Sequence, residues 1–88
     1  MYKVEYLPSV VKTLEKLDKY TRTIIIEWID KKLVGTDDPR QFGKPLSANR
    51  KGQWRYRVGD YRIIATIQDD KLIILVLSIG HRRDIYNS

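Results

Sequence analysis

Arg55, Arg57 and Arg62 fall within eight residues of one another in the run WRYRVGDYRII at positions 54–64. Residues two apart on a strand share a face, so Arg55 and Arg57 project together, opposite Trp54, Tyr56 and Val58. Gly59–Asp60 is a two-residue hairpin signal. A turn of that length sets Val58 against Tyr61 and Arg57 against Arg62. Directly opposed like charges destabilise a sheet. Such a pair either splays into solvent or acts together on an anion. Three guanidiniums spread over about 10 Å suit a phosphodiester better than a lone carboxylate, because each presents a planar fork of donors to phosphate oxygens. The competing reading is solvated edge arginines, which protect a sheet edge from aggregation.

The tail GHRRDIYNS carries a second basic group: His81, Arg82 and Arg83, followed by Tyr86. Gly80 is expected to end the last strand, which brings this group to the end of the sheet that holds Arg57 and Arg62. Arginines beside an aromatic are what single-stranded RNA needs, with phosphates on the cations and a base stacked on the ring. Tyr86 as a packed C-terminal anchor and His81 as a surface turn residue are the plainer alternatives. The acids expected near this face are Asp60 and Asp84. No Ser or Cys stands with a His partner, no two carboxylates form a pair, and no glycine-rich phosphate loop is present. Catalysis here would run on cations, which phosphate chemistry allows because the charge to be stabilised develops on phosphoryl oxygens.

The elements that must position these residues follow from periodicity. Tyr2 to Tyr6 alternates as a short strand. Pro8 suits a first helical turn, and Val10, Val11, Leu14 and Leu17 give residues 8–18 a helical apolar stripe. Thr21 is the expected N-cap of a second helix, with Ile25, Trp28, Ile29 and Leu33 on its apolar side and Gly35 just past its end. The glycine- and proline-rich stretch 35–52 reads as a loop with a possible helical turn, Leu46 tucked against the core. Strands are expected at 53–58, 61–68 and 72–79, with Asp69–Asp70 the second turn. The last is apolar on both faces and so belongs inside the sheet. The first strand then covers its free side, giving the order 1-4-3-2 with strand 53–58 at an edge. The fold class is α+β in two layers: an N-terminal strand, an αα-hairpin, and a three-stranded antiparallel meander. The helices cover one sheet face and the arginines occupy the other.

Composition bounds the rest. Eighty-eight residues suit one domain spanning 1–88. With 42% hydrophobic and 32% charged residues, the chain is too apolar for disorder. No cysteine and a single histidine argue against a disulfide framework and a metal site, and no cofactor is expected. The longest apolar run, Leu72 to Leu77, is too short to cross a membrane. MYKVEY has no signal-peptide core, so a cytoplasmic protein is expected. The net charge of +6 points to a polyanionic partner, against the plainer reading of a solubilising surface. The cations also change type along the chain. Residues 1–34 hold six Lys and only Arg22, whereas 35–88 hold three Lys and seven Arg.

The hairpin WRYRVGDYRII, the following apolar strand and IGHRRDIY at 79–86 together resemble the RelE toxins of the RelE/ParE toxin–antitoxin superfamily. The resemblance covers essentially the whole chain. It implies a ribosome-dependent endoribonuclease, an mRNA interferase that cuts the codon in the A site of the 70S ribosome. There the RNA 2′-hydroxyl attacks the adjacent phosphate, leaving a 2′,3′-cyclic phosphate and a 5′-hydroxyl. It also implies an acidic antitoxin as cognate partner, with operator DNA bound by the complex through the antitoxin. The family's two basic residues on the first hairpin strand fall on Arg55 and Arg57, its next-strand arginine on Arg62, its tail arginine on Arg82 and its terminal aromatic on Tyr86.

The roles this implies are charge stabilisation by Arg62, phosphate binding by Arg57 and Arg55, and leaving-group assistance by Arg82. Tyr86 would stack on a base and Arg83 would contact RNA. Arg55 and Arg57 stand where the best-known member commonly has Lys, and arginine does not release its proton. The general base is therefore open. His81, beside Arg82, is of the residue type that changes charge near neutrality and is a candidate proton shuttle. Two other functions fit parts of the pattern: a ParE-type gyrase inhibitor, and a non-catalytic module that binds RNA or antitoxin.

Overall fold

Among the described residues, two helices lie on one face of a five-stranded sheet. The structure is a computed structural model and describes residues 1–46 and 52–81. The strands are β1 (Lys3–Tyr6), β2 (Gly43–Pro45), β3 (Gln53–Val58), β4 (Tyr61–Gln68) and β5 (Ile73–His81). The helices are α1 (Pro8–Lys16) and α2 (Lys19–Lys32), and a 3-10 turn spans Pro39–Phe42. The sheet order is β1-β5-β4-β3-β2.

The four strands read from the sequence keep their expected order, with β1 parallel to β5. One expectation is corrected: strand 53–58 is not an edge. Gly43–Pro45 pairs antiparallel with it, Lys44 opposite Arg55, inside the stretch read as loop. Three residues with a proline leave too short a pattern to show alternation, and Pro is tolerated on an edge strand because its missing N–H can face solvent. Gly43 allows the close approach. A Cβ there would run into the Arg55 carbonyl oxygen and lie 2.8 Å from the Tyr56 ring and 2.9 Å from the Trp54 ring. Gly43→Ala is therefore expected to cost about 1–3 kcal/mol by overpacking, read as a lower urea midpoint. An unchanged midpoint would show that β2 moves aside freely.

α1 opens on Pro8, as expected. α2 is capped by Asp18, not Thr21: the Asp18 carboxylate accepts from the Thr21 backbone N–H at 3.0 Å and the Thr21 hydroxyl at 2.7 Å. Both are cap-forming residue types three positions apart, and the two-residue link after Lys16 leaves the earlier one to begin the helix. Gly35 has φ +78 past the end of α2, the conformation expected of it.

Under the helices lie Val10, Leu14, Ile25, Ile29 and Leu33, packed on Tyr56, Ile63, Ala65, Ile74 and Val76. The Trp28 and Tyr56 rings stand 5.8 Å apart. Leu46 is half-buried and outside that core, and its N–H extends the ladder to the Gln53 carbonyl at 3.1 Å. Pro39 and Phe42 do the packing expected of it. Pro39 is fully buried, and its carbonyl accepts from the Tyr56 hydroxyl at 2.9 Å. Burial holds that phenol well above its ordinary pKa, so it remains a donor.

The 3-10 turn is tied to the far end of the sheet by Asp69. Arg40 grips this carboxylate with two hydrogen bonds, at 3.0 and 2.8 Å, and the Tyr2 hydroxyl donates to it at 2.6 Å. The Arg40 bonds first, and the Tyr2 bond next, hold the carboxyl at about 2, against an ordinary 3.8. A depressed folded-state pKa contributes stability that is complete above the unfolded value and is lost as pH falls through the folded one. The melting temperature of the wild type should therefore exceed that of Asp69→Asn by a constant margin above about pH 4. The gap should close as pH falls toward about 2. A gap that persists unchanged to pH 2 would show that the carboxylate's charge is not what stabilises.

Candidate active site

The hairpin β3–β4 delivers the arginines. Gly59, at φ +58, opens the two-residue turn, and glycine at the first position with positive φ is the requirement of a type II′ turn. Val58 then pairs with Tyr61 and Arg57 with Arg62, the register read from the sequence. Directly paired residues share a face, so two rows cross the sheet on the side away from the helices. One row is Lys44, Arg55, Ile64 and Ser78. The next is Arg57, Arg62 and Gly80.

A cleft of about 410 Å³ opens on this face, lined by Gln41, Phe42, Gly43, Lys44, Arg55, Arg57 and Arg62. Its cations are graded in depth. Arg62 is only 3% exposed, Arg55 is half-buried, and Arg57 and Lys44 are exposed. Arg62 faces Arg57 on one side and, on the other, Gly80, which has no side chain to crowd it.

Among the described residues, four cations and no carboxylate, imidazole or thiol line the cleft. That donor set suits an anion and offers nothing to a metal. Among the described residues no carboxylate lies within ion-pairing distance of Lys44, Arg55 or Arg57, whereas Arg40, outside the cleft, is fully paired with Asp69. Like charges set side by side, as Lys44, Arg55 and Arg57 are, are costly to hold, and a polyanion entering the cleft relieves that cost. What the arrangement can do is bind consecutive phosphates and stabilise charge developing on one of them.

His81 does not join this group. Its ring stands edge-on to Tyr61 at 5.4 Å, on the helix-facing side with Ile63 and Ile79. The cause is a bulge. Ile64 pairs with Ser78 but Ala65 pairs with Val76, so Leu77 is the extra residue. An extra residue moves every later side chain to the opposite face. Gly80 thereby takes the place beside Arg62, and His81 is turned away. β5 also runs on through Gly80 to His81, beyond the end expected for it. Arg82, Arg83 and Tyr86 lie outside the described residues, as does Asp84. Asp60 is exposed at the hairpin turn.

Sequence reasoning missed Lys44 and the wall formed by Gln41 to Gly43. The signal available was the tripeptide Gly43-Lys44-Pro45: a glycine permitting close approach, then a cation, then an edge-tolerant proline.

The family described as ParE toxin of type II toxin-antitoxin system, parDE, matches residues 4–86. Toxin RelG of Mycobacterium tuberculosis is 29% identical over 85 residues, covering 97% of this chain and 95% of that protein. Toxin RelE of the same organism is 26% identical over 85 residues, covering 97% and 86%. Among solved structures, the RelBE2 toxin–antitoxin complex of M. tuberculosis superposes with a TM-score of 0.82 at 27% identity, covering 92% of this chain and 91% of that one. The isolated E. coli RelE toxin superposes with a TM-score of 0.72 at 18% identity, covering 99% and 93%.

Proposed function

Because the chain belongs to the ParE toxin family of type II toxin–antitoxin systems and is a RelE-type toxin, we propose that its cationic cleft is the active site of an mRNA interferase acting in the ribosomal A site. The observation that carries this reading is the convergence of Lys44, Arg55, Arg57 and Arg62 on one cleft. The RNA 2′-oxygen attacks the adjacent phosphorus as the bond from phosphorus to the 5′-oxygen breaks. The products are a 2′,3′-cyclic phosphate and a 5′-hydroxyl. The 2′-hydroxyl proton is lost and the departing 5′-oxygen gains one.

Arg62, the deepest cation, stabilises the charge that builds on the phosphoryl oxygens. Arg55 and Arg57 hold the scissile and neighbouring phosphates. Arg82 assists the leaving 5′-oxygen, Arg83 contacts the RNA and Tyr86 stacks on a base, three roles that rest on the sequence resemblance. The position of His81 on the opposite face argues against the proton-shuttle role.

A cognate antitoxin is the protein partner, a reading supported by the antitoxin chains in solved relatives and by the net charge of +6. An acidic antitoxin segment laid over the cleft would pair with Lys44, Arg55 and Arg57 and shut out RNA. Binding of operator DNA belongs to the complex, through the antitoxin. Among the described residues no helix is long and apolar enough to cross a membrane.

Incubation with programmed ribosomes and with free mRNA, followed by mapping of the cut ends, tests the reading. Cuts within the A-site codon ending in cyclic phosphate are expected. The matched family's ParE name keeps a gyrase-directed activity in view. Intact mRNA together with inhibited DNA supercoiling would establish that activity in place of RNA cleavage.

A further inference from the structure

We propose that Lys44 is a substrate-binding residue, the fourth cation of the cleft, holding the RNA phosphate next to the scissile one on the β2 side. The proposal rests on the reading of the cleft as an RNA site and adds a residue to it. Lys44 pairs directly with Arg55, so its side chain leaves the sheet on the arginine face. It lines the same cleft as Arg55, Arg57 and Arg62.

Its place is held from below. Gly43 sits against the Arg55 carbonyl and the rings of Tyr56 and Trp54, an approach that a side chain at 43 would prevent. The Leu46 N–H bond to the Gln53 carbonyl closes the far end of β2. Among the described residues its ammonium has no carboxylate within ion-pairing distance.

Lys44 stands on β2 and Arg62 on β4, two strand spacings or about 10 Å apart in the hydrogen-bonding direction. It is therefore displaced from the reacting phosphorus that Arg62 serves, and its work is binding. A lysine acts on phosphate as a compact point charge, without the fixed fork of arginine. The competing explanation is a charged edge residue that discourages edge-to-edge pairing of sheets.

The two explanations part on salt dependence. A cation that neutralises one phosphate of a single strand releases one counterion, and its loss lowers the slope of log affinity against log salt by about 0.7. The test uses an mRNA whose A-site codon carries 2′-deoxy sugars and so cannot be cut, presented free and on programmed ribosomes. Wild type, Lys44→Gln and Lys44→Arg are compared from low to moderate salt.

Lys44→Gln should bind about tenfold more weakly, with the slope reduced by about 0.7. On cleavable mRNA it should show a raised KM and a nearly unchanged kcat. Lys44→Arg should keep both slope and KM. If wild type binds and Lys44→Gln keeps the wild-type slope, the Lys44 proposal is overturned and the cleft reading stands. Self-association appearing in that variant would then establish the edge role. If wild type binds neither presentation, the cleft reading itself fails and the Lys44 proposal falls with it.

Discussion

Arg62→Ala is expected to lower mRNA cleavage by about 100- to 1,000-fold, the usual loss when one preorganised donor to a developing oxyanion is removed. It should abolish growth arrest as well. Arg62 is the most deeply placed cation of the cleft, 3% exposed, and water screens charge least at such depth. The effect should fall on kcat, because an interaction realised only as charge develops does not strengthen ground-state binding.

Folding must be measured alongside. The buried stem of Arg62 packs as hydrocarbon, so its loss lowers stability. Relief of the like-charge pair Arg57–Arg62 works in the opposite direction. A modest fall in melting temperature with an intact circular dichroism spectrum is expected. Arg62→Lys keeps the charge and loses the fork, and should recover only part of the rate. A variant that keeps wild-type kcat while melting much earlier would make Arg62 a structural residue and move the chemistry elsewhere.

Tyr86→Ala is expected to slow cleavage by roughly ten-fold to more than a hundred-fold, the equivalent of about 1–3 kcal/mol of base stacking. Tyr86→Phe should be nearly silent, since stacking uses the ring and not the hydroxyl. The comparison separates three roles for this residue. Equal damage from both substitutions means that the hydroxyl hydrogen-bonds or moves a proton. Loss of fold in Tyr86→Ala, with cleavage following stability, means that the ring anchors the domain. A large effect of Ala alone, at unchanged melting temperature, is the stacking result.

The hairpin register was legible because a short loop permits few alternatives. Gly59–Asp60 leaves two residues for the turn, and period-two alternation then assigns every side chain from Gln53 to Tyr61 to a face. The placement of Arg55, Arg57 and Arg62 together away from the helices follows from that local rule alone. The same kind of reasoning failed on β5. Leu72 to Leu77 is apolar at every position, so the sequence carries no mark of where alternation breaks. The bulge at Leu77 is visible only when β5 is laid against β4. That one inserted residue decides that Ile79 enters the core, that Gly80 lies beside Arg62, and that His81 turns to the helix-facing side.

By itself the sequence determined the α+β class, the helical hairpin, the order of the four longer strands and the shared face of three arginines. Each follows from periodicity or turn chemistry within a few residues. Only the tertiary structure decided what depends on contacts between distant segments. It recruited Gly43–Pro45 as an edge strand, because a glycine can sit against the Arg55 carbonyl where any side chain would collide. It thereby brought Lys44 to the cleft, eleven positions before its partner Arg55. It also set the depths of the cations, burying Arg62 between a paired strand and a glycine while leaving Arg57 in solvent. The sequence shows arginines of one type on one face. Burial, which sets how strongly each can act on a phosphate, is a property of the packed sheet.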